Sequence, residues 1–263
     1  MKAIDYSAFS AGGPVPVATF RKIRSLFPSG DMLLNIPGAW HGLSGYTGAW
    51  QSIRNAREAG FTHHATYVAI NSMAGRESVE QAQAYIGNEW ENLAFIGIDV
   101  ELPTTPTIVH DACVAAMEMG VRPVIYTARW AWFKYMADTS LFNGRPLWNA
   151  FYDNDPDIDF AHYPYGGWEL GKLAGEQYTG TMQVDGYGFD FNHFRDEFVT
   201  AGSPPAVPPL VALVDAWKRD MADLAVNAAD LIHTPGDLFR LDLHTIFTER
   251  RAADWKALLA KAK

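Results

Sequence analysis

The sequence predicts an α/β fold, an irregular TIM-like β/α barrel with late antiparallel strands and a short C-terminal helical appendage. Three observations lead there. Short apolar runs alternate with amphipathic segments through the first half of the chain, the pattern of a parallel sheet with helices outside it. After the fifth apolar run the connections become too short, or too rich in Asp, Pro, Tyr and Gly, to be crossover helices, so the last strands are expected to pair as antiparallel hairpins. Finally, Ser203-Pro204-Pro205-Ala206-Val207-Pro208-Pro209 reads as a stiff linker, dividing a barrel over residues 1–202 from a tail over 210–263. An open doubly wound sheet is the alternative for the same alternation. No Gly-rich fingerprint follows the first strand, so nothing points to a nucleotide.

In chain order, strands are expected at residues 2–7, 32–36, 65–70, 93–101 and 123–127. Helices are expected at 15–26, 48–59, 79–90 and 107–119. The last of these follows Pro103-Thr104-Thr105-Pro106 and stops at Gly120, a residue suited to the left-handed turn that ends a helix. A further helix fits 130–138, and 146–152 reads as a sixth strand. The connection from Asp153 to Trp168 makes a poor helix. A seventh strand is expected at 176–179 and an eighth at 189–194. In the tail, Leu210, Val214, Trp217, Met221, Leu224, Ala228 and Leu231 alternate four- and three-residue steps, a heptad-like stripe on one helix face. That face packs on the barrel or on a last helix at 252–262, or it self-associates or docks a partner.

Composition sets bounds on partners. Hydrophobic content of 48% and 13% aromatics allow a substantial core, which excludes general disorder. A net charge of −9 argues against nucleic acid or an anionic membrane as the main partner. Residues 203–263 carry equal numbers of acidic and basic side chains, so the deficit lies in the first 202 residues. The single Cys113 cannot form an internal disulfide, and on a helix it is expected to be a buried free thiol. Neither His-x-x-x-His nor Cys-x-x-Cys occurs, so no metal site is expected.

The run Phe95-Ile96-Gly97-Ile98-Asp99-Val100-Glu101 ends an apolar strand with two carboxylates two residues apart. Alternation along a strand puts Asp99 and Glu101 on one side, with Cα atoms about 6–7 Å apart. Crowded, buried carboxylates tend to keep a proton near neutrality, which is what acid catalysis of glycoside cleavage requires. In β/α barrels the C-terminal strand ends build the active site. Asp5 lies near the end of the first strand and Asp190 in the eighth. Closure of a barrel makes these two neighbours, facing Asp99 and Glu101 across the mouth.

With these residues in place, the chain resembles the glycoside hydrolase family 25 lysozymes. The resemblance is carried by Ala3-Ile4-Asp5-Tyr6-Ser7, Ile98-Asp99-Val100-Glu101, Pro123-Val124-Ile125-Tyr126-Thr127, Leu147-Trp148-Asn149-Ala150-Phe151-Tyr152, Gln177-Tyr178-Thr179 and Asp190-Phe191-Asn192, in the family's order over about residues 1–195. It implies cleavage of peptidoglycan between N-acetylmuramic acid and N-acetylglucosamine, without metal or cofactor. It implies Glu101 as the general acid and Asp99 as its assistant, orienting the substrate's acetamido group or stabilising positive charge. Asp5 and Asp190 would be the two further cleft carboxylates. Tyr67, Tyr126 and Trp148 would be cleft aromatics, and Gln177 an interior hydrogen-bonding residue.

The chain departs from the family at the rim. Asn35-Ile36-Pro37-Gly38-Ala39-Trp40 replaces an Ala-Thr-Glu-Gly-like segment, Tyr67 is followed by Val68-Ala69, and Glu176 stands where a Trp usually precedes Gln-Tyr-Thr. Two alternatives stay open: a chitinase-like glycosidase, and a catalytically silent glycan-binding or virion structural protein on the same barrel. The start Met1-Lys2-Ala3-Ile4-Asp5 has no signal-peptide stretch and no run reaches 18 apolar residues. The expectation is a phage or prophage endolysin-like protein made in the cytoplasm, without a membrane span, reaching the cell wall after holin-type release or lysis.

Overall fold

The computed structural model describes residues 1–7, 13–39, 48–70, 75–160 and 164–201. The chain divides into two units, Met1–Val207 and Pro208–Lys263. The expected linker at 203–209 and the helical stripe of the tail lie outside the described residues.

Strands and helices alternate as the apolar rhythm requires. The first half runs β1 (Lys2–Ser7), α1 (Val17–Arg24), β2 (Leu33–Ala39), α2 (Ala49–Glu58), β3 (His63–His64), β4 (Thr66–Ala69), α3 (Gly75–Ile86) and β5 (Ile96–Asp99). It continues with α4 (Pro106–Glu118), β6 (Pro123–Thr127), α5 (Arg129–Met136), β7 (Leu147–Ala150), β8 (Leu173–Val184), β9 (Tyr187–Phe194) and α6 (Asp196–Thr200). The third expected strand, 65–70, is β4, preceded across Ala65 by the two-residue β3 that was not expected, and both pair with β2. Eight staves therefore close the sheet, β1 pairing with β2 on one side and β9 on the other.

Pairing is parallel from β1 through β8, and only β9 runs antiparallel, against β8 and β1. The β8–β9 hairpin turns through Asp185 (φ 54°) and Gly186 (φ 85°), with Val184 paired to Tyr187. Two positive φ values in a two-residue loop make the tight turn whose twist suits antiparallel strands. It lengthens the expected seventh strand in both directions.

Helix boundaries follow local chemistry. The Thr105 side chain accepts from the Ile108 N–H at 3.4 Å, and Pro106 fills the first turn of α4, where a missing N–H costs nothing. Gly120, at φ 78°, follows its end. Helix α3 begins four residues earlier than expected, at Gly75, whose Cβ would lie 2.0 Å from the Ile108 carbonyl oxygen. Only a residue without a side chain lets α3 and α4 approach this closely.

Staves β4, β5, β6 and β7 are buried along their whole length, as strands with a packed interior and covering helices must be. Outward residues such as Ile98 and Ile125 meet Val109, the free thiol of Cys113 and Trp132 beneath the helices. Inside, Phe95 and Trp148 lie 5.1 and 5.3 Å from the Phe194 ring, and Tyr126 lies 4.4 Å from Trp148. These rings fill the barrel interior beneath its C-terminal mouth.

Close packing of rings needs bare backbone opposite them. A Cβ on Gly38 would fall 2.2 Å from Cζ of Tyr67, and one on Gly97 2.9 Å from Cβ of Tyr67. Gly38→Ala is therefore expected to destabilise the barrel by about 1–3 kcal/mol while displacing Tyr67 from the mouth. A lower urea midpoint at unchanged slope would be the readout.

Candidate active site

The mouth is built from strand ends. Asp5 on β1 is in register with Asp190 on β9, so closure brings these two carboxylates together. Asp99 ends β5 between Ala69 and Tyr126 of the flanking strands. The sequence expectation of a strand to residue 101 overshoots by two. The chain nevertheless stays extended past Asp99, because the Val100 N–H donates to the Tyr126 carbonyl at 2.9 Å. Glu101 follows, its backbone N–H donating to the Asp99 carboxyl.

All eight sequence-predicted residues, Asp5, Tyr67, Asp99, Glu101, Tyr126, Trp148, Gln177 and Asp190, line one cleft of about 150 Å³, joined by Ser7 and Tyr152. No Lys, Arg or His stands among them.

Gln177 is the hub. Its Nε2 donates to Oδ2 of Asp5 at 2.8 Å and to Oδ2 of Asp190 at 3.4 Å. Its Oε1 accepts from the hydroxyls of Tyr126 at 2.7 Å and Tyr152 at 2.6 Å. Asn192 gives Asp5 a second amide N–H at 2.7 Å, and Trp148 Nε1 fixes Asn192 by donating to its Oδ1 at 2.8 Å.

Electrostatics follow from this crowding. Burial pushes the Asp5 carboxyl well above the usual carboxylate range, helped by the charge of Asp190 and opposed by the amide donors of Asn192 and Gln177. Burial also raises Asp99 well above its ordinary value, with Glu101 and then Asp5 adding to it. Glu101 moves up for the same first reason, with Asp190 second. Carboxyl groups in one poorly solvated space cannot all ionise together, so the cluster retains protons where isolated carboxylates would not. Such a cluster can supply a proton and surround a developing positive charge with negative oxygen atoms.

Three members of the site were absent from the sequence expectation as site residues. Asn192 lies two residues beyond Asp190, and strand alternation alone puts it on the same face. Tyr152 lies past the end of β7, which stops at Ala150 and not at residue 152 as expected, yet alternation along the expected strand already put it on the face of Trp148. Ser7 ends β1 and bonds the Tyr67 hydroxyl. The adjacent pair His63 and His64 is remote from the cleft. His64 is buried and held near 3, chiefly by burial and then by Arg57. Among the described residues no group of His, Cys, Asp or Glu is arranged to hold a metal ion, and no helix is long and apolar enough to cross a membrane.

Comparison with known proteins places the barrel. No family model matches the chain. A Dictyostelium discoideum protein named "Probable GH family 25 lysozyme 3" is 31% identical over 93 residues, 35% of this chain and 19% of that protein. The chain spans 19% and 55% of the lengths of the two curated relatives it matches. Among solved structures, the muramidase of Acremonium alcalophilum superposes with a TM-score of 0.54 at 17% identity, covering 77% of this chain and 100% of that one. A family 25 glycosyl hydrolase of Bacillus anthracis gives 0.52 at 16% identity, covering 76% and 92%. The chain thus has the barrel fold of the family 25 glycosyl hydrolases, and 93 of its residues are similar in sequence to one protein named as a probable lysozyme of that family.

Proposed function

We propose that this protein is a peptidoglycan hydrolase that cleaves the β-1,4 bond between N-acetylmuramic acid and N-acetylglucosamine. The observation that carries the reading is the convergence of Asp5, Asp99, Glu101 and Asp190 in one cleft with no Lys, Arg or His among its described lining residues. In this mechanism Glu101, the least buried of the three cleft carboxyls whose pKa is raised, donates its proton to the leaving glycosidic oxygen. Asp99, beneath it, orients the acetamido group or faces the positive charge as the oxocarbenium-like state forms. Asp5 and Asp190 hold the sugar, and the charge of Asp190 adds to burial in favouring the proton on Glu101. Tyr67 and Tyr126 border the sugar at the floor of the cleft, with Trp148 packed beneath them as their support.

Product analysis tests the reading. The full chain is incubated with purified peptidoglycan and with chitin, and the new reducing ends are labelled by borohydride reduction. The expected result is new ends on N-acetylmuramic acid and none from chitin. Ends on N-acetylglucosamine, or cleavage of chitin, would move the assignment to a chitinase-like specificity. No release from either glycan would leave a binding protein on a hydrolase barrel.

A further inference from the structure

Behind the cleft wall lies a second row of polar groups that the proposed chemistry does not use. Strand alternation turns Tyr126, Trp148 and Gln177 inward, so their neighbours Thr127, Asn149 and Glu176 turn outward. These three are register partners across β6, β7 and β8, and all are buried. Tyr165, from the connection after β7, caps the row. Its hydroxyl lies 2.8 Å from Oδ1 of Asn149 and 3.2 Å from the Thr127 carbonyl oxygen. Asn149 Nδ2 donates to Glu176 Oε2 at 3.3 Å, and the Asp159 backbone N–H donates to the same carboxyl. At the other end Thr127 Oγ1 donates to the carbonyl of Val100 at 2.8 Å, the residue between Asp99 and Glu101.

Glu176 is the anomaly in this row. It has no solvent exposure, and its Oε1 has no hydrogen-bond partner among the described residues. A carboxylate held so would be strongly disfavoured, whereas a neutral carboxylic acid is tolerated. Its electrostatic neighbours reinforce this: Asp153 and Asp159 on the connection both raise it, while the Asn149 amide and the Asp159 N–H oppose. With burial as the largest cause, the group is pushed up to about 8.

We propose that Glu176 is a positioning residue whose buried carboxyl ties β7, β8 and the connection after β7 together, and so seats Gln177 and Trp148 in the cleft wall. The tie is most stable while the carboxyl is uncharged. Ionisation would strengthen the two N–H bonds but leave an unsolvated charge, with Oε1 unpartnered, beside Asp153 and Asp159, and that cost loosens the packing of the connection on β8. Its effect on turnover rests on the hydrolase reading; its effect on the fold does not. Because the folded-state value lies above the unfolded one, the contribution to stability is complete below about pH 4.5. It is then lost progressively as pH rises to about 8.

The test compares wild type, Glu176→Gln and Glu176→Met as full chains from pH 4.5 to 9, by thermal unfolding and by kcat and KM on peptidoglycan. Gln keeps the shape and the bonds without a titrating proton. Its melting temperature should exceed that of wild type by several degrees at pH 8, with a much smaller difference at pH 5. The KM of wild type should rise several-fold between pH 6 and 9, with kcat changing less, and the Gln variant should lack that rise. Met fills the space without the bonds and should raise KM at every pH. Parallel melting curves for wild type and the Gln variant across this range would overturn the tie. Divergent melting curves with identical KM profiles would overturn the positioning role. Absence of cleavage by wild type at every pH would instead count against the hydrolase reading, and the melting comparison would still decide the tie.

Discussion

Glu101→Gln should lower kcat on peptidoglycan by roughly 10²–10⁴-fold, the usual worth of a positioned general acid, with little change in KM. The amide keeps the volume and polarity of the side chain but has no proton to give at the leaving oxygen. Stability should move the other way. Burial and Asp190 raise the Glu101 carboxyl, so its contribution to folding is present below the ordinary glutamate range and lost as pH rises through the folded-state value. At pH 7 the variant, freed of this penalty, should melt higher than wild type. Lost turnover with a raised melting temperature separates a missing proton donor from a damaged fold. A variant that cuts as well as wild type would remove Glu101 from the mechanism. Asp190→Asn gives a companion measurement: with the neighbouring charge gone, the alkaline limb of kcat/KM should shift to lower pH.

The second large effect is expected at Gln177. Its two amide atoms meet Asp5, Asp190, Tyr126 and Tyr152 at once. Gln177→Leu preserves volume but strips buried Tyr126 of its acceptor and Asp5 of one donor. Leaving a buried polar group without its partner costs about 1–3 kcal/mol, so urea unfolding should show a loss of roughly 2–4 kcal/mol across the pair, together with most of the activity. Gln177→Glu is the sharper probe. It sets a further carboxyl against Asp5 where an N–H now stands, so its stability deficit should be larger at pH 7 than at pH 5. Equal deficits at the two pH values would mean that charge crowding is not what shapes this cleft.

Much of this arrangement was legible in the residues. The β/α alternation follows from apolar periodicity, and the neighbouring positions of Asp5 and Asp190 follow from closing the first strand on the last. Gln177 was readable as an interior hydrogen-bonding residue, and it is one. The misreadings have local causes. Glu101 reads as part of an apolar strand because Val100 is apolar, yet pairing ends at Asp99. Asp185-Gly186 is a strong hairpin turn in sequence, and reading it as one would have given β8 and β9 their full lengths. Helix α3 starts at a glycine whose reason for being there is a distant carbonyl on α4, which no local pattern discloses. Glu176 is legible only as a departure from the family's pattern. Its significance comes from Asn149, Asp159 and Tyr165, which sequence does not place beside it.

The seam between β1 and β9 also sets when this protein can first act. Asn192 and Asp5 are 187 positions apart and share a hydrogen bond, and the donors that steady Asp5 both come from the last two staves. During synthesis Asp5 is made well before β8 and β9, so nearly the whole barrel must be translated before that carboxyl has its partners. Contacts this remote in sequence form late and slowly. Any fragment that ends before β9 holds an open sheet with an incomplete cleft, so the carboxylate cluster arrives in one step, at the completion of the barrel.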